Sequence, residues 1–200
     1  MSTVSAVLLI ILAYFLGCIP TGLLIARARG VDIRQKGSGN IGATNVLRSV
    51  GLVPAIVVII ADPLKGFLAA FIPKMLGMDP WVVGLAALAA VIGHNFNIFL
   101  RFRGGKGIAT TLGSYLAIDP LLTLFAAIVG IATIALGRMV SLGSLIGLLA
   151  ALLLFLYKGV YVWPQFFVLT GFLVLAFVRH WSNIQKLAKG TERRIGQKSS

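Results

Sequence analysis

Seven apolar stretches divide this chain of 200 residues, and their lengths limit the folds that it can adopt. Six of them cover residues 4–25, 52–72, 81–100, 120–137, 140–157 and 160–178, and the seventh, shorter one covers residues 108–118. A helix needs about 20 apolar residues to cross a hydrocarbon core of about 30 Å. Hydrophobic residues make up 58% of the chain and charged residues only 12%, about half the charged share of a soluble domain. The sequence therefore predicts an all-α integral membrane protein and excludes a soluble, disordered or disulfide-stapled chain.

The short stretch at 108–118 decides how often the chain crosses the bilayer. Its helix would span roughly 16 Å, about half of the bilayer, so it is either a separate crossing or the first half of a kinked helix that ends at residue 137. Basic loop residues favour the cytoplasmic side. A separate crossing places fifteen Lys and Arg inside and two outside, whereas a merged helix places nine inside and eight outside. We therefore predict seven transmembrane helices, one of them short (108–118), with a periplasmic N-terminus and a cytoplasmic C-terminus.

The formal charge of +13 does not indicate a nucleic-acid partner, because the basic residues lie in short loops between apolar stretches. Arg27 and Arg29 follow the first stretch and no basic region precedes it, which predicts an uncleaved first span rather than a signal peptide. Cys18 is the only cysteine and indicates neither a disulfide nor redox chemistry. No residues show metal-ligand spacing. We expect one polytopic domain over residues 1–200, with no metal and no cofactor.

The predicted inner loop at residues 37–48 reads GSGNIGATNVLR and has the composition of an anion site. Its glycines let the backbone approach an anion closely, and the loop runs into the N-terminus of a helix, where free N–H groups bind phosphate. An arginine can hold a phosphate through two hydrogen bonds. The alternative is a flexible turn with a helix cap and a snorkelling arginine. The candidate residues are Ser38, Gly39, Asn40, Thr44, Asn45 and Arg48.

A second inner loop at residues 93–111 reads GHNFNIFLRFRGGKGIATT. Its Gly-Gly-Lys-Gly run before a short helix resembles a phosphate-binding loop in its physics, although it lacks the spacing of a nucleotide-binding P-loop. The alternative is a stop-transfer charge cluster, which Arg101 and Arg103 alone would satisfy. A lysine within a glycine cradle favours the phosphate interpretation. The candidates here are His94, Asn97, Gly104, Gly105, Lys106, Gly107 and Thr110.

Three further groups lie in predicted inner segments or inside a span. In the region 179–194, His180 and Asn183 share a helix face at i, i+3, and the imidazole can exchange a proton or donate to an oxyanion. Glu192 is expected to tie the tail down. Within the second span, ionisable groups should pair or face a polar interior, and Asp62 and Lys65 are interpreted as a structural pair. The turn with Arg138 and Ser141 is either a phosphate site or an ordinary loop.

These segments together resemble one known family, the bacterial acyl-phosphate:glycerol-3-phosphate acyltransferases. Residues 37–48 look like its first signature, residues 93–110 like its second, and Arg179, His180, Asn183 and Glu192 like its third. The segments at 62–66 and 140–143 also match. The resemblance spans nearly the whole chain. It implies that Ser38 and Arg48 are essential, that residues 104–107 bind glycerol 3-phosphate, that His180 and Asn183 support activity, and that Glu192 is structural.

The resemblance further implies acyl transfer from acyl phosphate to the 1-hydroxyl of glycerol 3-phosphate, giving lysophosphatidic acid and phosphate in phospholipid synthesis. The expected partners are glycerol 3-phosphate, long-chain acyl phosphate and the lipid bilayer, with neither acyl-CoA nor acyl carrier protein as donor. We expect a functional monomer in the bacterial inner membrane, with its active site facing the cytoplasm. The alternative is a transporter of a phosphorylated anion. The expected catalytic residues are Ser38, Arg48, Lys106, His180 and Asn183.

Overall fold

A computed structural model of the chain describes residues 2–159 and 162–197, which form ten α-helices and two short 3₁₀ turns. The helices are α1 (Thr3–Gly17), α2 (Thr21–Ala28), α3 (Ala43–Ser49), α4 (Leu52–Met75), α5 (Pro80–Asn95), α6 (Ile108–Ile118), α7 (Pro120–Gly137), α8 (Val140–Tyr157), α9 (Trp163–Arg179) and α10 (Trp181–Ala188). The start of the predicted span 160–178, and Lys198 of the charge count, lie outside the described residues.

Within the described ranges, five segments are long and apolar enough to cross a membrane. They are Thr3–Ala28, which contains α1 and α2, then α4, the segment Pro80–Leu100, α7 and α8. Helices α9 and α10 together make a sixth candidate that is bent by 66°, and α6 is a shorter apolar helix. The predicted all-α membrane class is therefore confirmed, with five to six long apolar spans.

An Asp-Pro pair separates α6 from α7. The Asp119 side chain accepts a hydrogen bond from Leu122 N at 2.9 Å and so caps α7, while Pro120 occupies the first helical position, where its missing N–H has no cost. The same aspartate ends α6, in an extended conformation. Residues 108–137 thus form two helices joined by a tight turn, and not one kinked helix.

Glycines allow three pairs of helices to pack backbone against backbone. A Cβ atom at Gly17 or Gly93 would clash with the partner backbone between α1 and α5, and one at Gly66 or Gly113 would clash between α4 and α6. Gly143 and Gly147 of α8 lie against α7 in the same way. Small residues bring membrane helices together in this way because lipid supplies no hydrophobic force between them. Large apolar side chains, such as Leu121 and Leu136, point outward instead and are exposed.

The polar segments meet at one end of the bundle. The first inner loop leads into α3, which is only seven residues long and is followed by a break at Gly51 before α4 begins. The end of α5, the start of α6, the start of α8 and the junction of α9 with α10 lie around the same space. This convergence creates the cavity described next.

Candidate active site

A cavity of about 460 Å³ lies where these segments converge. Of the predicted site residues, those that line it are Ser38, Asn40, Thr44, Asn45, Arg48, Asp62, His94, Lys106, Gly107, Ser141, His180, Asn183 and Glu192. All five expected catalytic residues are thus brought together. Asp62 lies ten residues into α4, about 15 Å along the helix, so the cavity reaches from the end of the bundle into its interior.

The charges around the cavity favour an anionic ligand. Among the residues that the structure describes, four basic side chains and two carboxylates line it. The basic ones are Arg48, Lys106, Lys186 and Arg193, and the acidic ones are Asp62 and Glu192. Asp62 is paired with Lys65, at 2.8 Å between Oδ1 and Nζ. The net positive lining inside a protein of low dielectric attracts phosphate groups more strongly than the same charges would in water.

Asn45 organises the first loop. Its Oδ1 accepts a hydrogen bond from Ser38 N at 2.9 Å, and its Nδ2 donates to Asn40 O at 2.9 Å and to Lys36 O at 3.0 Å. Gly37 and Gly39 both have positive φ, which a side chain would strain. The buried Asn45 amide thus fixes the conformation of the loop through hydrogen bonds to its backbone. In this conformation the exposed side chains of Ser38 and Arg48 line the cavity.

The glycine loop is held from both sides. The N–H groups of Gly104 and Gly105 donate to Asn95 O and His94 O, at 3.1 and 3.0 Å. Their carbonyls accept hydrogen bonds from the Arg179 guanidinium, at 2.8 and 3.0 Å. The N–H groups of these two glycines, which the sequence suggested for phosphate binding, are therefore engaged within the protein. Gly104 and Gly105 instead shape the loop that carries Lys106.

Lys106 starts a chain of hydrogen bonds across the cavity. Its Nζ donates to Asn183 Oδ1 at 2.6 Å, Asn183 Nδ2 donates to Glu192 Oε1 at 2.7 Å, and Ser141 Oγ donates to the same carboxylate oxygen at 2.6 Å. Glu192 thereby ties the tail to α8 and α10. Burial lowers the pKa of the Lys106 ammonium to about 8, with Glu192 acting against this shift and Lys186 adding to it.

The two histidines present different ring atoms to their surroundings. His180 lies at the junction of α9 and α10, and its Nδ1 is 2.8 Å from Ala176 O, which can only accept. Nδ1 therefore carries the proton, and the neutral ring keeps an acceptor at Nε2. His94 is buried on α5 with its Nδ1 2.8 Å from Lys65 Nζ.

Besides Gly104 and Gly105, four of the predicted binding residues do not line the cavity. Gly39 donates its N–H to Lys36 O within the first loop. Asn97 is buried. Its Nδ2 donates to Cys18 O, and its Oδ1 accepts from Phe99 N in the short 3₁₀ turn Ile98–Leu100. Thr110 is buried against Gly66 of α4. Arg138 binds the backbone of Ile195 through its guanidinium and its carbonyl. These four residues therefore contact the loops and helices that surround the site and support them.

Several cavity residues were not among the predicted site residues. Ser144, Ser182, Lys186 and Arg193 line the cavity, and Arg179 holds the glycine loop while its guanidinium lies 5.4 Å from the centre of the Phe96 ring. The basic residues among them lie at the end of the last apolar stretch or after it, a position typical of residues that merely face the cytoplasm. The two serines show no distinguishing pattern. Arg179 was noted in the sequence only as part of the third family signature, beside His180.

The fold and the site together define a class: membrane proteins of packed helices with a cationic cavity at one end of the bundle. A family model described as "Glycerol-3-phosphate acyltransferase" matches residues 7–190. The chain belongs to this family of glycerol-3-phosphate acyltransferases.

Known proteins resemble the chain over almost its whole length. A glycerol-3-phosphate acyltransferase of Thermus thermophilus is 48% identical over 197 residues, covering 98% of each chain. Glycerol-3-phosphate acyltransferase 1 of Deinococcus radiodurans is also 48% identical, over 99% of this chain and 100% of the relative. The crystal structure of PlsY (YgiH), an integral membrane glycerol 3-phosphate acyltransferase, in its glycerol 3-phosphate form has a TM-score of 0.90 at 41% identity, over 96% of each chain.

Proposed function

We propose that this chain transfers a fatty acyl group from acyl phosphate to the 1-hydroxyl of glycerol 3-phosphate, giving lysophosphatidic acid and inorganic phosphate. The names of its relatives supply the acceptor and the reaction type. PlsY has been crystallised in a glycerol 3-phosphate form and in a lysophosphatidic acid form, which correspond to the acceptor and the product of such a transfer. The proposed donor rests on the family resemblance. We further propose that the product enters phospholipid synthesis.

The observation that carries the proposal is the cavity that brings Arg48 of α3 and Lys106 of the glycine loop together at one end of a membrane bundle. Each cation can hold a phosphate oxygen, and the two substrates each bring a phosphate group. The cavity continues into the helix bundle as far as Asp62, beside the apolar side chains of Ile108 and Leu112. An acyl phosphate can therefore place its head among the cations while its tail remains in an apolar environment.

The proposed reaction joins O1 of glycerol 3-phosphate to the acyl carbonyl carbon and breaks the bond from that carbon to the phosphate oxygen. The acyl phosphate is already activated, so the protein needs mainly to position the hydroxyl and stabilise the developing charge. We assign phosphate binding to Arg48 and Lys106. Ser38, His180 and Asn183 would orient the reacting groups, with Asn40, Thr44, Gly107 and Ser141 contributing to substrate binding.

The hydroxyl proton is proposed to pass to the departing phosphate. The second pKa of a phosphate monoester is near 6, so a phosphate oxygen can accept a proton near neutral pH. Both carboxylates that line the cavity are engaged, Asp62 with Lys65 and Glu192 with Ser141 and Asn183. The alternative base is Nε2 of His180. A His180→Ala variant that binds both substrates normally, loses turnover and recovers it with added imidazole would overturn the assignment to phosphate.

We also propose seven crossings, with the N-terminus in the periplasm and the C-terminus and the cavity on the cytoplasmic side of the bacterial inner membrane, and a functional monomer. The separation of α6 from α7 supports the seventh crossing. Helix α6 begins beside the cavity, and α7 ends where Arg138 bonds to Ile195, which also lines the cavity. The start of α6 and the end of α7 therefore lie at the same end of the bundle, so the two helices run in opposite directions.

Purified protein in detergent tests the function. With glycerol 3-phosphate and palmitoyl phosphate, we expect phosphate release and lysophosphatidic acid in equal amounts, and no product with palmitoyl-CoA or palmitoyl-acyl carrier protein. An Arg48→Ala variant, which keeps the fold but loses the exposed guanidinium, serves as the control for background hydrolysis. Product from the thioester donors alone would contradict the proposed donor.

The second candidate is a transporter of a phosphorylated anion, which the deep reach of the cavity to Asp62 favours. Transporters bind substrate near the midplane of the membrane. Sealed vesicles that contain the protein distinguish the two functions. Uptake of labelled glycerol 3-phosphate without formation of lysophosphatidic acid would support transport and overturn acyl transfer.

A further inference from the structure

A buried group of three titratable residues forms the inner wall of the cavity. Lys65 Nζ lies 2.8 Å from Asp62 Oδ1, 2.8 Å from His94 Nδ1 and 2.9 Å from Ile19 O. The side chains of all three members, Asp62, Lys65 and His94, are at most 5% exposed. Asp62 and His94 line the cavity, whereas Lys65 lies behind them.

The contacts of Lys65 fix the proton on the imidazole. An ammonium group has three N–H donors and no acceptor, and here three acceptor positions surround it. His94 Nδ1 must therefore accept, and a proton on this nitrogen would place two N–H groups head to head at 2.8 Å. The proton of the neutral ring consequently lies on Nε2, the opposite of the arrangement that Ala176 imposes on His180.

Nε2 of His94 has no hydrogen-bond partner in the part of the chain that the structure describes, although its residue lines the cavity. The tip of the ring lies against Gly105, where a Cβ atom would clash with Nε2. The carbonyl of His94 also accepts the N–H of Gly105 at 3.0 Å. The glycine therefore leaves room for the Nε2–H group beside the loop that carries Lys106.

The geometry points to His94 as a further catalytic residue, whose Nε2–H donates a hydrogen bond to the acyl carbonyl oxygen as negative charge develops on it, with Lys65 and Asp62 as positioning residues. This inference rests on the proposed acyl transfer. A neutral, buried donor that is fixed before the reaction suits an oxyanion, because it needs no reorganisation as charge appears. Because Nδ1 accepts a hydrogen bond from Lys65, Nε2 carries the proton and cannot act as an acceptor toward the cavity. Asp62 balances the charge of Lys65.

The chain has only two histidines, so ¹⁵N-histidine NMR of the full-length protein in detergent can test the tautomers directly. We expect one ring protonated at Nε2 and one at Nδ1, with a His180→Ala variant retaining only the Nε2–H form. In Lys65→Met, the His94 ring should lose its single tautomer and give a mixture. Protonation of His94 at Nδ1 in the wild type, or an unchanged ring in Lys65→Met, would overturn the inference.

Two substitutions of His94 test the role of the donor. In His94→Gln the side-chain amide can reach the position of Nε2–H, whereas in His94→Asn it reaches only the position of Nδ1. Removing one oxyanion donor costs about 100-fold in kcat. We expect that loss in His94→Asn with an unchanged KM for both substrates, and a clear recovery of kcat in His94→Gln. Gel filtration and thermal unfolding show whether both variants are folded.

Other outcomes are equally decisive. Equal kcat in the wild type and both variants, or equal losses in both folded variants, would overturn the donor role. A raised KM for acyl phosphate or for glycerol 3-phosphate, with unchanged kcat, would assign the donor to a phosphate of that substrate and overturn the oxyanion role. A wild-type protein without acyltransferase activity would contradict the proposed function, while the NMR result would still stand or fall by itself.

Discussion

Lys106 is the cation that the protein holds most firmly in the cavity. Its Nζ donates to Asn183 Oδ1 at 2.6 Å, and Asn183 in turn binds the Glu192 carboxylate. A hydrogen-bonded ammonium in a partly desolvated site exerts a stronger field on an incoming phosphate than a mobile surface lysine does. The same burial lowers the pKa of the Lys106 ammonium, and this shift can be measured as a pH dependence of activity.

We expect kcat/KM for glycerol 3-phosphate to fall as the pH rises through about 8. Burial lowers the pKa of Lys106 to about 8, so the free enzyme carries the ammonium below that pH and loses it above. The substrate phosphate, with a second pKa near 6, stays a dianion over this range. Initial rates between pH 7 and 9 at low substrate measure the effect.

The matched control is Lys106→Arg, because a guanidinium stays protonated at every pH in this range. Its kcat/KM should be lower than that of the wild type, since the hydrogen bond to Asn183 changes, but it should not fall above pH 8. A decline of the same shape in Lys106→Arg would show that another group titrates.

Among the elements, glycine contacts determine how closely the helices approach. In the pair of α7 and α8, Gly130, Gly143 and Gly147 lie against one another, and a Cβ at Gly147 would come within 2.6 Å of Ala126 O. Backbone atoms cannot move aside as a flexible side chain can. Helices α7 and α8 must separate if either surface gains volume, and α8 carries Ser141 and Ser144 at the rim of the cavity.

A Gly147→Val substitution should therefore lower the free energy of unfolding by about 1–3 kcal/mol and lower the midpoint of thermal unfolding in detergent. The control is Leu153→Val on the same helix, where the side chain is 57% exposed and faces outward. We expect little change there. Equal destabilisation in both variants would contradict the close contact of α7 with α8.

For the whole molecule, the topology decides what the cavity can reach. The first inner loop, the glycine loop, the start of α8 and the tail all contribute to one space, so they must lie on one side of the membrane. The proposed orientation puts that side in the cytoplasm, where soluble phosphorylated metabolites are found. A reversed molecule would present the same cavity to the periplasm.

Single cysteines introduced in a Cys18→Ser background test this orientation. A membrane-impermeant maleimide should label Lys158→Cys in intact cells, because Lys158 is exposed after α8 at the end remote from the cavity. It should label Lys189→Cys, just after α10, only once the inner membrane is permeabilised. Labelling of Lys189→Cys from outside would contradict the proposed topology.

The sequence by itself determined the membrane class, the long spans and the cationic loops that meet at the cavity. It could do so because hydropathy and loop charge are local properties of the sequence, and they set directly which segments enter the bilayer and which loops stay inside. It also predicted a separate short helix at 108–118, which is α6. The residues that the sequence predicts to be catalytic all line the cavity: Ser38, Arg48, Lys106, His180 and Asn183.

Only the tertiary structure decided how these residues are used. The amides of Gly104 and Gly105 bind α5 rather than facing a ligand, Arg179 holds their carbonyls, and the proton of each histidine is set by its partner. Lys106 and Asn183 are 77 residues apart in the chain, and Arg179 is 74 residues from Gly105. Hydrogen bonds are short-ranged and directional. Their partners are therefore fixed by how closely the helices pack, which no local pattern of residues specifies.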